Sequence, residues 1–81
     1  MWVIDTPYRD VWIIVPAFNE AQVIGDVIVD LRAVFEHVVC VDDGSRDDTA
    51  DIALRAGAHV VRHPVNLGQG AAIQTGVEYA R

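Results

Sequence analysis

The sequence predicts an α/β fold, a three-layer βαβαβα half of a Rossmann-like unit built on a parallel sheet. Strand-length runs of β-branched and apolar residues alternate three times with stretches whose apolar residues recur at helical period. Each run also stops at a turn signal: Pro16, then Asp42, Asp43 and Gly44, then Pro64. Such alternation calls for right-handed crossovers, which lay helices on the sheet faces and gather the strand-to-helix turns at one sheet edge.

Met1 to Asp10 mixes apolar, acidic and turn residues, and Pro7 discourages regular structure, so it reads as a lead-in with an edge strand at Trp2 to Ile4. Val11 to Val15 is a continuous β-branched and aromatic run, ended by Pro16, which cannot donate to a central ladder. Asn19 is expected to cap the next helix, whose apolar positions are Val23, Ile24, Val27, Ile28, Leu31, Val34 and Phe35. Val38 to Val41 reads as a strand buried on both faces, with Asp42 and Asp43 emerging at its carboxyl end. Ser45, Asp47 or Asp48 can cap the short helix that follows through Ile52, Ala53 and Ala56, and Gly57 is placed to end it. His59 to Arg62 forms the next strand. Gly68 to Arg81 closes the chain as a helix with Ala72, Ile73, Gly76, Val77 and Ala80 on one face, small enough to pack closely on a sheet.

Bulk properties exclude several function classes. At 81 residues the chain is one domain at most, or part of a larger one. With 52% hydrophobic and 22% charged residues it is globular in composition, without a disordered tract. A net charge of -6 argues against a nucleic-acid backbone or an anionic membrane surface as the main partner. All six basic residues are Arg, which removes Schiff-base and P-loop lysine chemistry. The single Cys40, inside a strand, reads as a small buried hydrophobe rather than a nucleophile, and fits a reducing compartment. Apolar runs fall far short of the roughly 18 residues of a membrane helix, and the acidic amino terminus lacks a signal-peptide pattern. The chain reads as soluble. A half-sheet leaves strand edges and one face open, so self-association through those edges, or marginal stability, is expected.

The functional clue is the convergence of three turns: Pro16 to Glu20, Asp42 to Thr49, and Pro64 to Gly70. Glu20, at a helix start, either accepts hydrogen bonds from ribose hydroxyls or simply complements the helix dipole. An Asp in the second turn can accept from a nucleobase N–H or a sugar hydroxyl, and two of them can hold a divalent cation. Adjacent side chains leaving a strand point to opposite faces, however, so only one of Asp42 and Asp43 can face a pocket. The third turn offers free N–H groups beside Gly68 and Gly70, suited to an anion or to close ligand packing. The first turn is not glycine-rich, which counts against a nicotinamide or flavin enzyme. His37, His59 and His63 lack metal-ligand spacing and read as structural or surface residues, Ser45 lies in no nucleophile elbow, and Trp12 reads as core.

Ile14 to Glu20 (IVPAFNE), Val41 to Thr49 (VDDGSRDDT) and Asn66 to Ala72 (NLGQGAA) together resemble the opening of family 2 glycosyltransferases, most of all bacterial members that act on polyprenyl phosphates or build surface polysaccharide. The resemblance implies a GT-A fold, of which residues 1–81 are the amino-terminal, nucleotide-binding part. It implies substrate-binding roles for Pro16, Ala17, Phe18, Glu20, Asp42, Asp43, Gly44 and Gln69. Pro16 and Ala17 would line the base and ribose pocket, Glu20 would meet the ribose, Asp43 would contact the base and Asp42 would shape the turn. Gln69 stands where many relatives have Lys. The reaction implied is inverting transfer from a nucleoside diphosphate sugar to a polyprenyl phosphate or glycan. In the complete enzyme a divalent cation, Mg or Mn, would neutralise the leaving diphosphate while a carboxylate base deprotonates the acceptor. The family's Asp, any residue, Asp metal motif follows the third helix and the base lies farther on, both past Arg81. The fragment is therefore expected to hold no metal, carry no catalytic residue and be inactive alone. Membrane contact would come only through other parts of the protein or a lipid-linked acceptor, placing the full-length protein in the cytoplasm or at the inner face of the membrane. The alternatives are a non-catalytic nucleotide-binding or regulatory module, and a structural or interaction domain whose turns are only caps.

Overall fold

The computed structural model describes residues 1–6 and 10–81, so the reading of Pro7 falls outside it. The elements are β1 (Trp2–Asp5), β2 (Val11–Ala17), α1 (Ile24–Arg32), β3 (His37–Asp42), α2 (Thr49–Arg55), β4 (His59–Arg62) and α3 (Gln69–Ala80). They build one sheet in the order β1-β2-β3-β4. β2, β3 and β4 run parallel, with Ile13 opposite Val38 and Val39 opposite His59, while β1 is antiparallel to β2, with Trp2 opposite Ile14.

Because side chains alternate across a strand, the continuous apolar runs feed two cores. Ile13, Val15, Ala17, Val38 and Cys40 point to one face and pack with Ile24 and Ile28 of α1 and Ala53 of α2. Ile14, Val39 and Val41 point to the other and meet Ala72 and Val77 of α3. The expected three layers follow from this split. Gly76 sets how closely α3 lies on the sheet, since a Cβ there would stand 2.5 Å from Cγ2 of Ile14. The amino end of β2 carries an aromatic group in which Trp12 stacks on His37 at 4.8 Å and meets Tyr79 edge-on, with Nδ1 of His59 2.9 Å from the Tyr79 hydroxyl. Among the described residues no helix is long and apolar enough to cross a membrane.

Two local expectations are corrected. β2 does not stop at Pro16 but continues through Ala17. Among the described residues only β3 pairs with it past Ile14, so the proline's missing N–H interrupts no two-sided ladder. Asn19 does not cap α1 through its side chain. It sits at φ 52°, and its Oδ1 accepts a hydrogen bond from the Arg46 N–H instead. The helical turn opens at Glu20, whose carbonyl accepts from the N–H groups of Val23 and Ile24.

Candidate functional site

The carboxyl ends of β2, β3 and β4 bring the three turns together, and side chains of the second turn tie them into one unit. The N–H groups that open the α1 turn have no partner within their own helix. Ser45 Oγ accepts from the Asn19 N–H (2.8 Å), Thr49 Oγ1 from the Glu20 N–H (2.8 Å) and Asp47 Oδ2 from the Ala21 N–H (3.1 Å). The cap residues of the acidic turn thus serve the preceding helix. Asp47 serves both helices, since its Oδ1 accepts from the N–H of Thr49 (3.0 Å) and from its hydroxyl. That hydroxyl bond is the main reason the Asp47 carboxyl lies below its ordinary range. Desolvation works against it, and the Ala21 and Thr49 N–H groups add to it.

Asp43 joins the second turn to the third. Its Oδ1 accepts from His63 Nδ1 (2.8 Å) and the Leu67 N–H (2.9 Å), and its Oδ2 from the Gly68 N–H (2.9 Å). His63 Nε2 in turn lies 2.8 Å from Thr75 Oγ1 of α3. Burial pushes the Asp43 carboxyl upward, but the bonds from His63, Leu67 and Gly68 outweigh it and hold the group below its ordinary value, as an anion near neutrality. Gly44 lets the two turns touch, because a Cβ there would stand 2.5 Å from the Val65 carbonyl carbon and 2.6 Å from the Asn66 nitrogen.

A cleft of about 450 Å3 opens between the turns. Pro16, Ala17, Phe18, Glu20, Asp43 and Gln69 all line it. Asp42 and Gly44 do not. Asp42 follows Cys40 onto the α1 and α2 side, where it is fully buried with Oδ1 accepting from the Ser45 N–H (3.1 Å) and Oδ2 3.4 Å from Nε of Arg62. Gly44 instead borders a smaller neighbouring cleft with Arg46, Pro64 and Val65. Asn66, Gly68 and Ala72 complete the main cleft. None of the three is among the substrate-binding residues that the resemblance implies, although Gly68 is expected to meet a ligand from the third turn and Asn66 and Ala72 lie in the NLGQGAA motif. His63, expected to be structural or at the surface, is buried with its ring against Asp43. The signal for that contact is register, since Asp42 pairs with Arg62 and the residues just past each strand are Asp43 and His63.

The Cys40 thiol is fully buried and pushed up to about 12, by burial above all and by the nearby Asp42 and Glu20 carboxylates, so it is no nucleophile. Among the described residues no three His, Cys, Asp or Glu side chains converge as a metal-binding group.

A family model described as glycosyl transferase family 2 matches residues 12–81. Glycosyltransferase AglJ of Haloferax volcanii is 45% identical over 69 residues, covering 84% of this chain and 22% of AglJ. The undecaprenyl-phosphate 4-deoxy-4-formamido-L-arabinose transferase of Pseudomonas savastanoi is 34% identical over 87 residues, covering 93% of this chain and 26% of the transferase. Among solved structures, glucosyl-3-phosphoglycerate synthase from Mycobacterium tuberculosis, in complex with Mn2+, uridine-diphosphate-glucose and phosphoglyceric acid, is 32% identical with a TM-score of 0.68. That match covers 76% of this chain and 26% of the synthase. The chain thus spans less than a third of the length of these relatives.

Proposed function

The chain belongs to glycosyltransferase family 2 and carries the Rossmann-like half of a GT-A fold, and from that premise we propose that it is the nucleotide-binding amino-terminal part of an inverting glycosyltransferase. The parent enzyme transfers a sugar from a nucleoside diphosphate to a polyprenyl phosphate or glycan. The observation that carries the reading is the cleft itself, in which a buried anionic Asp43, an exposed Glu20 and the half-exposed ring of Phe18 face one space at the carboxyl edge of a parallel sheet. Among the described residues Oδ2 of Asp43 accepts a single hydrogen bond, so it can take another from a ring N–H of the base. Glu20 receives the ribose hydroxyls, Pro16, Ala17 and Phe18 exclude water from the base, and Gln69 meets the donor from the start of α3. The acceptor preference rests on the names of the relatives, among them the undecaprenyl-phosphate transferase.

A divalent cation belongs to the complete enzyme in this reading, supported by the Mn2+ named with the Mycobacterium tuberculosis synthase. Among the described residues no metal-binding group forms, and the roles proposed here are those of the chain's own side chains. Its own residues bind and orient the donor. Calorimetric titration with UDP, GDP and dTDP, with and without Mg2+ or Mn2+, tests this. One nucleotide should bind saturably, and purified chain should form no product from a donor and polyprenyl phosphate. Absence of heat with every nucleotide from folded protein would refute the binding role, and product formation would refute the assigned division of labour.

A further inference from the structure

We propose that His63 is the positioning residue of this site, holding the Asp43 carboxylate in the one orientation that turns a free acceptor position on Oδ2 toward the cleft; its bearing on ligand affinity rests on the nucleotide-binding function proposed above. Asp43 and His63 are nearly buried, at 5% and 7% exposure, so water does not compete for their contact. Four acceptor positions are available on a carboxylate, about two to each oxygen. Oδ1 fills its pair with His63 Nδ1 and the Leu67 N–H, whereas among the described residues Oδ2 holds only the Gly68 N–H. Without His63, two neighbouring backbone N–H groups alone would hold the carboxylate, and the terminal torsion of Asp is broad. An anionic Asp43 can only accept, so Nδ1 must carry a proton, which leaves Nε2 to take the Thr75 hydroxyl as donor when the ring is neutral. Thr75 lies on α3, two turns from Gln69, so the ring links the carboxylate to the helix whose start forms a wall of the cleft.

A histidine that merely filled space would be indifferent to which of its nitrogens is kept. The side-chain amide of Asn reaches about as far as Nδ1, and that of Gln about as far as Nε2. His63→Asn therefore preserves the donor to Asp43, and His63→Gln the contact with Thr75. In the ligand-free protein, His63→Gln is expected to shift the backbone amide signals of Leu67 and Gly68 upfield, as their bonds to Asp43 loosen, while His63→Asn leaves them near wild type. Against the nucleotide that the wild type binds, His63→Gln should weaken affinity about tenfold, the scale of one hydrogen bond, and His63→Asn should restore most of it. Thr75→Val removes the partner of Nε2 alone and keeps the fold testable should His63→Gln unfold; it should leave both readouts close to wild type. Equal behaviour of the two His63 variants, or unmoved Leu67 and Gly68 amides in His63→Gln, would overturn the assignment, as would a Thr75→Val effect as large as that expected of His63→Gln. Failure of the wild type to bind any nucleotide would remove the proposed function, and the amide signals would still decide whether His63 holds Asp43.

Discussion

Replacing Gly44 by Ala should separate the second turn from the third. Gly44 sits at φ 77°, in the left-handed region, where an L side chain costs roughly 1–2 kcal/mol. The new Cβ would also fall 2.5 Å from the Val65 carbonyl carbon and 2.6 Å from the Asn66 nitrogen. Both are backbone atoms with no rotamer to yield, so the overpacking adds about 1–3 kcal/mol, for a total of about 2–5 kcal/mol. Gly68→Ala is the control. Gly68 also has a positive φ, of 96°, but nothing lies within 4 Å of the position a methyl group would take there, leaving only the backbone cost of about 1–3 kcal/mol. Urea unfolding of both variants, read at unchanged slope, isolates the collision. Gly44→Ala should also draw the Leu67 and Gly68 N–H groups away from Asp43, which an amide spectrum detects. Stability of Gly44→Ala within about 0.5 kcal/mol of wild type, the range of an ordinary surface substitution, would show that the two turns do not depend on this close approach.

In α3, Gly76→Ala should lose stability, because overpacking against Ile14 of about 1–3 kcal/mol exceeds the roughly 1 kcal/mol gained in helix propensity; Gly70→Ala, which meets nothing within 4 Å, should be neutral or stabilising in the same thermal melts. Cys40 should resist iodoacetamide in the folded chain and react after unfolding in urea, and rapid native alkylation would contradict its burial. Asp43 and Asp47 have folded values below their ordinary ones, so each contributes stability that is present above the unfolded value of about 3.9 and is lost as pH falls through the lower folded value. The melting temperature should therefore drop as pH is taken below about 4, and Asp47→Asn should flatten that dependence; an Asp47→Asn profile with the wild-type slope would remove Asp47 as a cause.

Period alone made the strands and helices of the parallel sheet legible, since runs such as Val11 to Val15 and the spacing of Ile24, Ile28 and Leu31 admit few other readings. Alternation also indicated that only one of Asp42 and Asp43 could face a pocket, and Asp43 is the one at the cleft. What stayed hidden was long-range pairing of polar groups. Ser45, Asp47 and Thr49 are good caps for any helix start nearby, and nothing local says that they serve Asn19, Glu20 and Ala21, more than twenty residues earlier. His63 looked structural because its partner Asp43 is adjacent only through the register of β3 with β4. Pro16 read as a strand end because the short reach of β1, which frees one side of β2 there, is a tertiary fact.

Whether three strand-end turns make one nucleotide site is best decided by following the backbone amide signals of isotope-labelled chain during titration with UDP, GDP and dTDP. One of the three should give saturable shifts, concentrated at Ala17 to Glu20, Asp43 to Ser45 and Asn66 to Ala72, with the amides around Trp12, His37 and His59 at the opposite end of the sheet unmoved. Shifts centred elsewhere, or none with any nucleotide from a chain whose spectrum shows it folded, would contradict a site built from these turns.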